Sequence, residues 1–108
     1  MNTCEPKILV ENSHFYIAQC QHCKRIGLSY KNILVGYQPE EFIQFANKFN
    51  QINFEERCYV FPDGKPYIIV NTCHQDIQFS FTKRDFETLK QGFSEALLML
   101  EAEKILNL

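Results

Sequence analysis

Two cysteines separated by two residues, in the segment Cys20-Gln21-His22-Cys23, are the clearest chemical feature of this sequence. In a tight turn between strands, such a pair brings both sulfurs close enough to chelate one metal ion and supplies half of a tetrahedral zinc site. His22 lies inside the turn and is expected to point away from the metal. The remaining histidines and cysteines are scattered along the chain, at Cys4, His14, Cys58, Cys73 and His74.

Three of these scattered residues are candidate further ligands. Cys4 belongs to the N-terminal segment, which is able to reach the turn. Cys73 and His74 fall in a predicted hairpin turn that would face the same end of the molecule if the two halves of the chain are related by a pseudo-twofold axis. One interpretation of these residues is a structural zinc held by Cys20 and Cys23, with Cys4, Cys73 and His74 as weaker candidates for the other ligands.

Two other interpretations of the cysteine pair remain open. A thiol-disulfide oxidoreductase places its Cys-x-x-Cys at the N-terminus of a helix, where the helix dipole lowers the thiol pKa. Here the pair precedes Lys24-Arg25-Ile26, which begins a strand pattern, so metal binding is favoured over redox chemistry. The third interpretation is that the two cysteines bind nothing.

No other group of residues predicts catalysis. The four glycines do not form a phosphate-binding loop. The carboxylates of Asp85, Glu87 and Glu95 fit helix capping or a solvated helix face. Cys73 and His74 resemble a nucleophile and its base, but adjacent side chains on a turn usually diverge. We predict no catalytic residues and a non-enzymatic protein.

Size and composition predict one domain over residues 1–108, because 108 residues with 45% apolar content can form a core without disulfides. The net charge of −2 and the lack of a basic run exclude a nucleic-acid surface. The longest apolar run, residues 96–100, is too short to span a membrane. The chain starts without a secretory signal pattern, and its five cysteines are odd in number. These features predict a cytoplasmic protein.

Apolar periodicity predicts strands and two amphipathic helices. Alternation at Ile26, Leu28 and Tyr30 indicates a half-buried strand, which pairs with 14–20 before it and, through a tight turn, with 33–37 after it. Further strands are predicted at 57–61, 67–72 and 77–81. The first helix follows Pro39, the second follows Thr82, and each has one apolar stripe: Phe42, Phe45, Ala46, Phe49 and Ile52 in the first, and Phe86, Leu89, Phe93, Ala96, Leu97 and Leu100 in the second.

An offset of 44 positions, which places Ile33 on Ile77, aligns the two halves of the chain. The fold class predicted from this is α+β, with a β-meander-plus-helix unit (βββα) repeated over about 14–52 and 58–106. The antiparallel strands form one sheet or two abutting sheets, with both helices on one side. Since such units also align by pattern alone, chance similarity is the alternative.

The second helix has a further apolar set on another face. Its members are Leu98, Met99, Ala102, Ile105 and Leu106. A helix with two apolar faces must cover both, either under an N-terminal strand at 8–10 or against another subunit. The C-terminal helix is therefore the predicted interface of a homodimer.

The order of motifs also resembles a small bacterial family of uncharacterised proteins. The resemblance rests on Cys20-x-x-Cys23, the alternation Ile26-x-Leu28-x-Tyr30, Glu41-Phe42 at the first helix and the Leu-rich final helix. It covers most of the chain and implies no established activity. The function we predict is a small cytosolic interaction or regulatory domain with an unknown protein partner. The alternative is a thiol-based redox or metal-handling protein that uses Cys20 and Cys23.

Overall fold

The computed structural model of the chain describes residues 5–106, which form an α+β fold with two antiparallel sheets. The α+β part of the predicted fold class is therefore confirmed. In chain order the elements are β1 (Pro6–Glu11), β2 (Phe15–Cys20), β3 (Ile26–Tyr30), β4 (Ile33–Tyr37), α1 (Pro39–Gln51), α2 (Phe54–Arg57), β5 (Tyr59–Val60), β6 (Pro66–Asn71), β7 (Gln78–Phe81) and α3 (Lys83–Leu106).

The first sheet is a four-stranded meander in the order β1-β2-β3-β4. Its inner face carries the alternating apolar residues, with Ile17 opposite Leu28 and Leu28 opposite Val35. All three side chains are buried. The alternation therefore predicted both the strands and the face that packs on the core.

The second sheet is smaller, with the order β5-β6-β7. The predicted strand at 57–61 is wrong at its start, because Arg57 ends the one-turn helix α2. Asn53 begins that helix: its side-chain oxygen accepts a hydrogen bond of 3.3 Å from the backbone N–H of Glu56. The helix that Asn53 caps therefore includes Arg57, and the strand begins only at Tyr59.

The core lies where α1 and α3 pack against each other and against the two sheets. Phe49 of α1 is central to it, with ring centroids 4.7 Å from Phe86 and 4.8 Å from Phe93, both on α3. Both apolar stripes predicted from the sequence enter this core, since their members are either buried or packed against buried residues.

The duplicated arrangement is not confirmed. The order strand, strand, strand, helix occurs twice, as β2-β3-β4-α1 and as β5-β6-β7-α3. The first set gains a further strand, β1, and the second begins with a strand of only two residues. The strands also divide into two sheets of different size. Internal duplication therefore stays a prediction.

The second apolar set of α3 is exposed on its C-terminal half. Leu98 is 70% exposed, and Met99, Ala102 and Ile105 are also exposed. The strand β1 contacts α3, and an ion pair joins Lys7 to Glu103, but β1 does not cover these side chains, which was one of the two predicted alternatives. Within residues 5–106, no helix combines the length and apolar content needed to cross a bilayer.

Candidate functional site

The turn after β2 brings Cys20 and Cys23 together, as their spacing predicted. The two residues come within 3.3 Å of each other, and the backbone N–H of Cys23 donates to Cys20 Sγ at 3.4 Å. Lys24 closes the turn in the left-handed region, at φ 67°, and its N–H donates to the carbonyl oxygen of Cys20 at 2.9 Å. This is a tight turn in which one sulfur already accepts a backbone hydrogen bond.

The two cysteines differ in state. Cys23 is exposed, and its thiol is free. Cys20 is buried at the end of β2 and is disulfide-bonded. The other free thiols among residues 5–106 are those of Cys58 and Cys73. The turn therefore presents the accessible thiol of Cys23 beside the disulfide-bonded sulfur of Cys20.

Among residues 5–106, Cys73 and His74 do not join the two cysteines of the turn in a metal-binding group. Cys4 lies outside the described residues. Cys73 is exposed at the β6–β7 connection, where its thiol donates to the carbonyl oxygen of Gly36 at 3.7 Å, and His74 is exposed beside it. Over residues 5–106, no three His, Cys, Asp or Glu side chains come together to hold a metal ion.

Beside the turn, the outer face of the first sheet carries an apolar groove that the sequence reasoning missed. Its volume is about 480 Å³. Ala18, Gly27 and Gly36 lie opposite one another on β2, β3 and β4 and form its floor. The residues around this floor are Pro6, Tyr16, Cys20, Cys23, Arg25, Ile26 and Leu34. We call this feature the outer-face groove.

Small residues on the floor let two longer side chains lie flat on the sheet. A Cβ on Gly27 would stand 3.3 Å from Cδ1 of Leu34, and a Cβ on Gly36 would stand 3.2 Å from Nη2 of Arg25. Leu34 is 69% exposed. None of the ion pairs within residues 5–106 includes Arg25. The groove therefore combines an apolar floor with the guanidinium of Arg25 at its β4 end.

A signal for this groove was present in the sequence. Ala18, Gly27 and Gly36 occupy outward positions on three strands that the alternation itself predicted as neighbours. Each is unremarkable alone, because Ala and Gly are common in turns and cores. Only the pairing register places them in one row across the sheet.

These features define a small α+β domain with a two-cysteine turn at the rim of an apolar groove. The chain belongs to DUF6686, a family of unknown function, whose family model matches residues 1–107. This confirms the resemblance to a family without an established activity. No curated protein and no solved structure is significantly similar to the chain.

Proposed function

We propose that this protein is a non-enzymatic binding domain that holds an apolar ligand in the outer-face groove. The observation that carries the proposal is the groove itself, which has a volume of about 480 Å³ on a mostly apolar sheet face. Ligand sites are typically concave and mainly apolar, with a few polar groups that orient the ligand, and their volumes run from about 300 to 1,000 Å³. The groove fits this description, with Arg25 as its charged group.

Binding of the neutral apolar dye Nile red tests this proposal. The dye should bind at one saturable site on the full-length protein, with the emission increase that an apolar environment gives. Ala18→Leu fills the groove floor and should abolish most of this increase. Leu34→Ser removes one apolar side chain of the groove and should weaken dye binding. This second variant keeps the test valid if Ala18→Leu folds poorly.

Leu98→Ser is the matched control, since Leu98 and Leu34 have almost the same exposure, at 70% and 69%. This variant should bind the dye as the wild type does. Loss of dye binding in Leu98→Ser, with full binding in Ala18→Leu, would move the apolar site to α3 and contradict the proposal.

A second candidate function uses the Cys20–Cys23 turn. In reduced protein the two sulfurs can act as thiolates toward zinc, and the N–H of Cys23 directed at Cys20 Sγ stabilises negative charge there. Zinc then serves as a structural ion, with Cys4, Cys73 and His74 remaining candidates for the other ligands.

Thiol exchange is the alternative chemistry of the same turn. Attack of the Cys23 thiolate on Cys20 Sγ forms a Cys20–Cys23 disulfide, and the sulfur previously bonded to Cys20 leaves as a thiolate. The free thiol of Cys23 and the 3.3 Å approach of the two residues support this step. Exchange of this kind needs no oxidant, because the number of disulfides does not change.

The proposal includes three further features predicted from the sequence. The protein forms a homodimer through the exposed apolar residues of α3, it acts in the cytoplasm, and its two strand-helix sets derive from an internal duplication. The exposure of Leu98 and Ile105 supports the first of these.

A further inference from the structure

We infer that the ligand of the outer-face groove is a medium-chain carboxylate, with its hydrocarbon chain across the floor and its carboxylate on Arg25. This inference rests on the proposed function, because it names the class of molecule that the groove holds. Three properties of the groove support this inference. The groove runs across the strands, the backbone groups of its floor are already paired within the sheet, and a positive charge lies at one end.

The groove runs across the strands rather than along them. Ala18, Gly27 and Gly36 lie opposite one another on β2, β3 and β4, so the floor row crosses three strands of the sheet. With neighbouring strands about 4.8 Å apart, this row is roughly 10 Å long. Tyr16, on the adjacent outward row, bounds the groove on one side, and Cys20 and Cys23 bound it on the other. The space favours a long, narrow occupant.

The floor favours a hydrocarbon over a peptide. Ala18 and Gly27 lie on inner strands, so their backbone groups serve the strand ladders on both sides. A peptide that lay on this face would bury its own N–H and C=O groups against a surface with no free backbone partner for them, which costs the desolvation free energy of each group. A peptide instead adds to a sheet edge. A hydrocarbon chain has no such groups to satisfy.

Arg25 supplies the charge complementarity. Its guanidinium lies over Gly36, with Nη2 3.2 Å from the position that a Cβ would take. Within residues 5–106 it forms no ion pair. The planar guanidinium matches a carboxylate through two parallel hydrogen bonds. A carboxylate bound to Arg25 at the β4 end of the groove would therefore fix the direction in which the hydrocarbon chain of the ligand lies.

The test is a titration of the full-length protein with decanoate, below its micelle concentration, and with neutral 1-decanol, followed by amide NMR and calorimetry. Decanoate should bind roughly tenfold more tightly than 1-decanol, as a charge-assisted hydrogen-bonded pair allows. Both ligands should shift the amide signals of Gly27 and Gly36. Arg25→Gln should remove the tenfold preference and leave the affinity for 1-decanol unchanged, whereas the exposed control Arg84→Gln should keep it.

Equal affinity of the wild type for decanoate and 1-decanol, with both mapping to Gly27 and Gly36, would overturn the carboxylate assignment and leave the binding groove in place. Failure of both ligands to shift these amides, while Nile red still binds in an Ala18-dependent way, would overturn the acyl-chain assignment alone. If Ala18→Leu also leaves the binding of Nile red unchanged, the proposed function fails together with this inference.

Discussion

The ring of Phe15 on β2 lies against the backbone of Gly92 on α3. A Cβ on Gly92 would stand 2.6 Å from Cε2 of Phe15, far closer than real side-chain atoms approach. Both residues are buried, so the absence of a side chain at position 92 sets how closely α3 approaches the first sheet. Because this helix and sheet form much of the core, the contact controls the stability of the domain.

We predict that Gly92→Ala destabilises the protein by about 1–3 kcal/mol, the usual cost of forcing extra atoms into a packed core. In an exposed helix position the same change would stabilise by about 1 kcal/mol, so the sign of the effect is diagnostic. Urea denaturation measures the free energy of unfolding. Phe15→Leu should recover part of the loss in the double variant, and strictly additive effects would contradict the contact.

Two buried tyrosines should respond in opposite ways to loss of their hydroxyl groups. The Tyr30 hydroxyl donates to Oδ2 of Asp85 at 2.9 Å, whereas the buried Tyr37 hydroxyl has no hydrogen-bond partner within residues 5–106. Tyr30→Phe should cost about 1–3 kcal/mol, because it removes a hydrogen bond to a charged acceptor. Tyr37→Phe should leave the free energy of unfolding unchanged or raise it. Equal losses in thermal or urea denaturation would contradict this assignment.

The same tyrosines predict a loss of stability at alkaline pH. Burial raises the pKa of Tyr30, and the hydrogen bond from its hydroxyl to Asp85 raises it further. Burial also raises the pKa of Tyr37, with smaller contributions from Cys73 and Glu41. An unfolded tyrosine ionises near pH 10, so the folded state should lose stability as pH rises above about 10. The Tyr30→Phe, Tyr37→Phe double variant should show a flatter decline between pH 9 and 11, and an unchanged slope would refute the prediction.

The core was predictable because it depends on local periodicity. Phe42 and Phe49, seven residues apart, lie on one face of α1 in any amphipathic helix. The start of α3 after Thr82 was also predictable, and there the backbone N–H of Asp85 donates a hydrogen bond of 3.2 Å to Thr82 Oγ1. The hydrogen bond from Tyr30 to the same carboxylate was not, because it joins residues 55 positions apart that only the packed fold brings together.

The candidate site shows the same division. The Cys20–Cys23 contact is local, and the spacing of the two residues predicted it. The groove beside it depends on the register of β2, β3 and β4. Whether Arg25 forms an ion pair depends on which carboxylates the fold brings near its guanidinium. Neither property can be obtained from spacing along the chain.

The exposed apolar residues of α3 predict a concentration-dependent dimer. Leu98→Asp places a charge in the predicted interface and should convert the protein to a monomer in sedimentation equilibrium. Leu34→Asp introduces the same charge at a residue of almost equal exposure on a different face, and it should leave the dimer intact. A wild type that stays monomeric up to high micromolar concentrations would exclude the interface. Loss of the dimer only in Leu34→Asp would move it to the outer-face groove.

The two chemistries of the Cys20–Cys23 turn predict different responses of one variant. If zinc is structural, reduced wild-type protein should contain about one zinc per chain by elemental analysis, and Cys23→Ser should lose the metal and much of its thermal stability. Cys58→Ser is the control, because Cys58 is a free thiol of intermediate exposure outside the turn, and it should keep both.

If the turn performs thiol exchange instead, the reduced wild type should purify without zinc, and Cys23→Ser should be as stable as Cys58→Ser. Mass spectrometry of the oxidised wild type should then find a Cys20–Cys23 disulfide in part of the population, formed at the expense of the earlier bond to Cys20. Protein that contains no zinc when reduced and never forms this disulfide would exclude both chemistries. It would leave Cys23 as a wall of the groove, where its replacement should change ligand affinity alone.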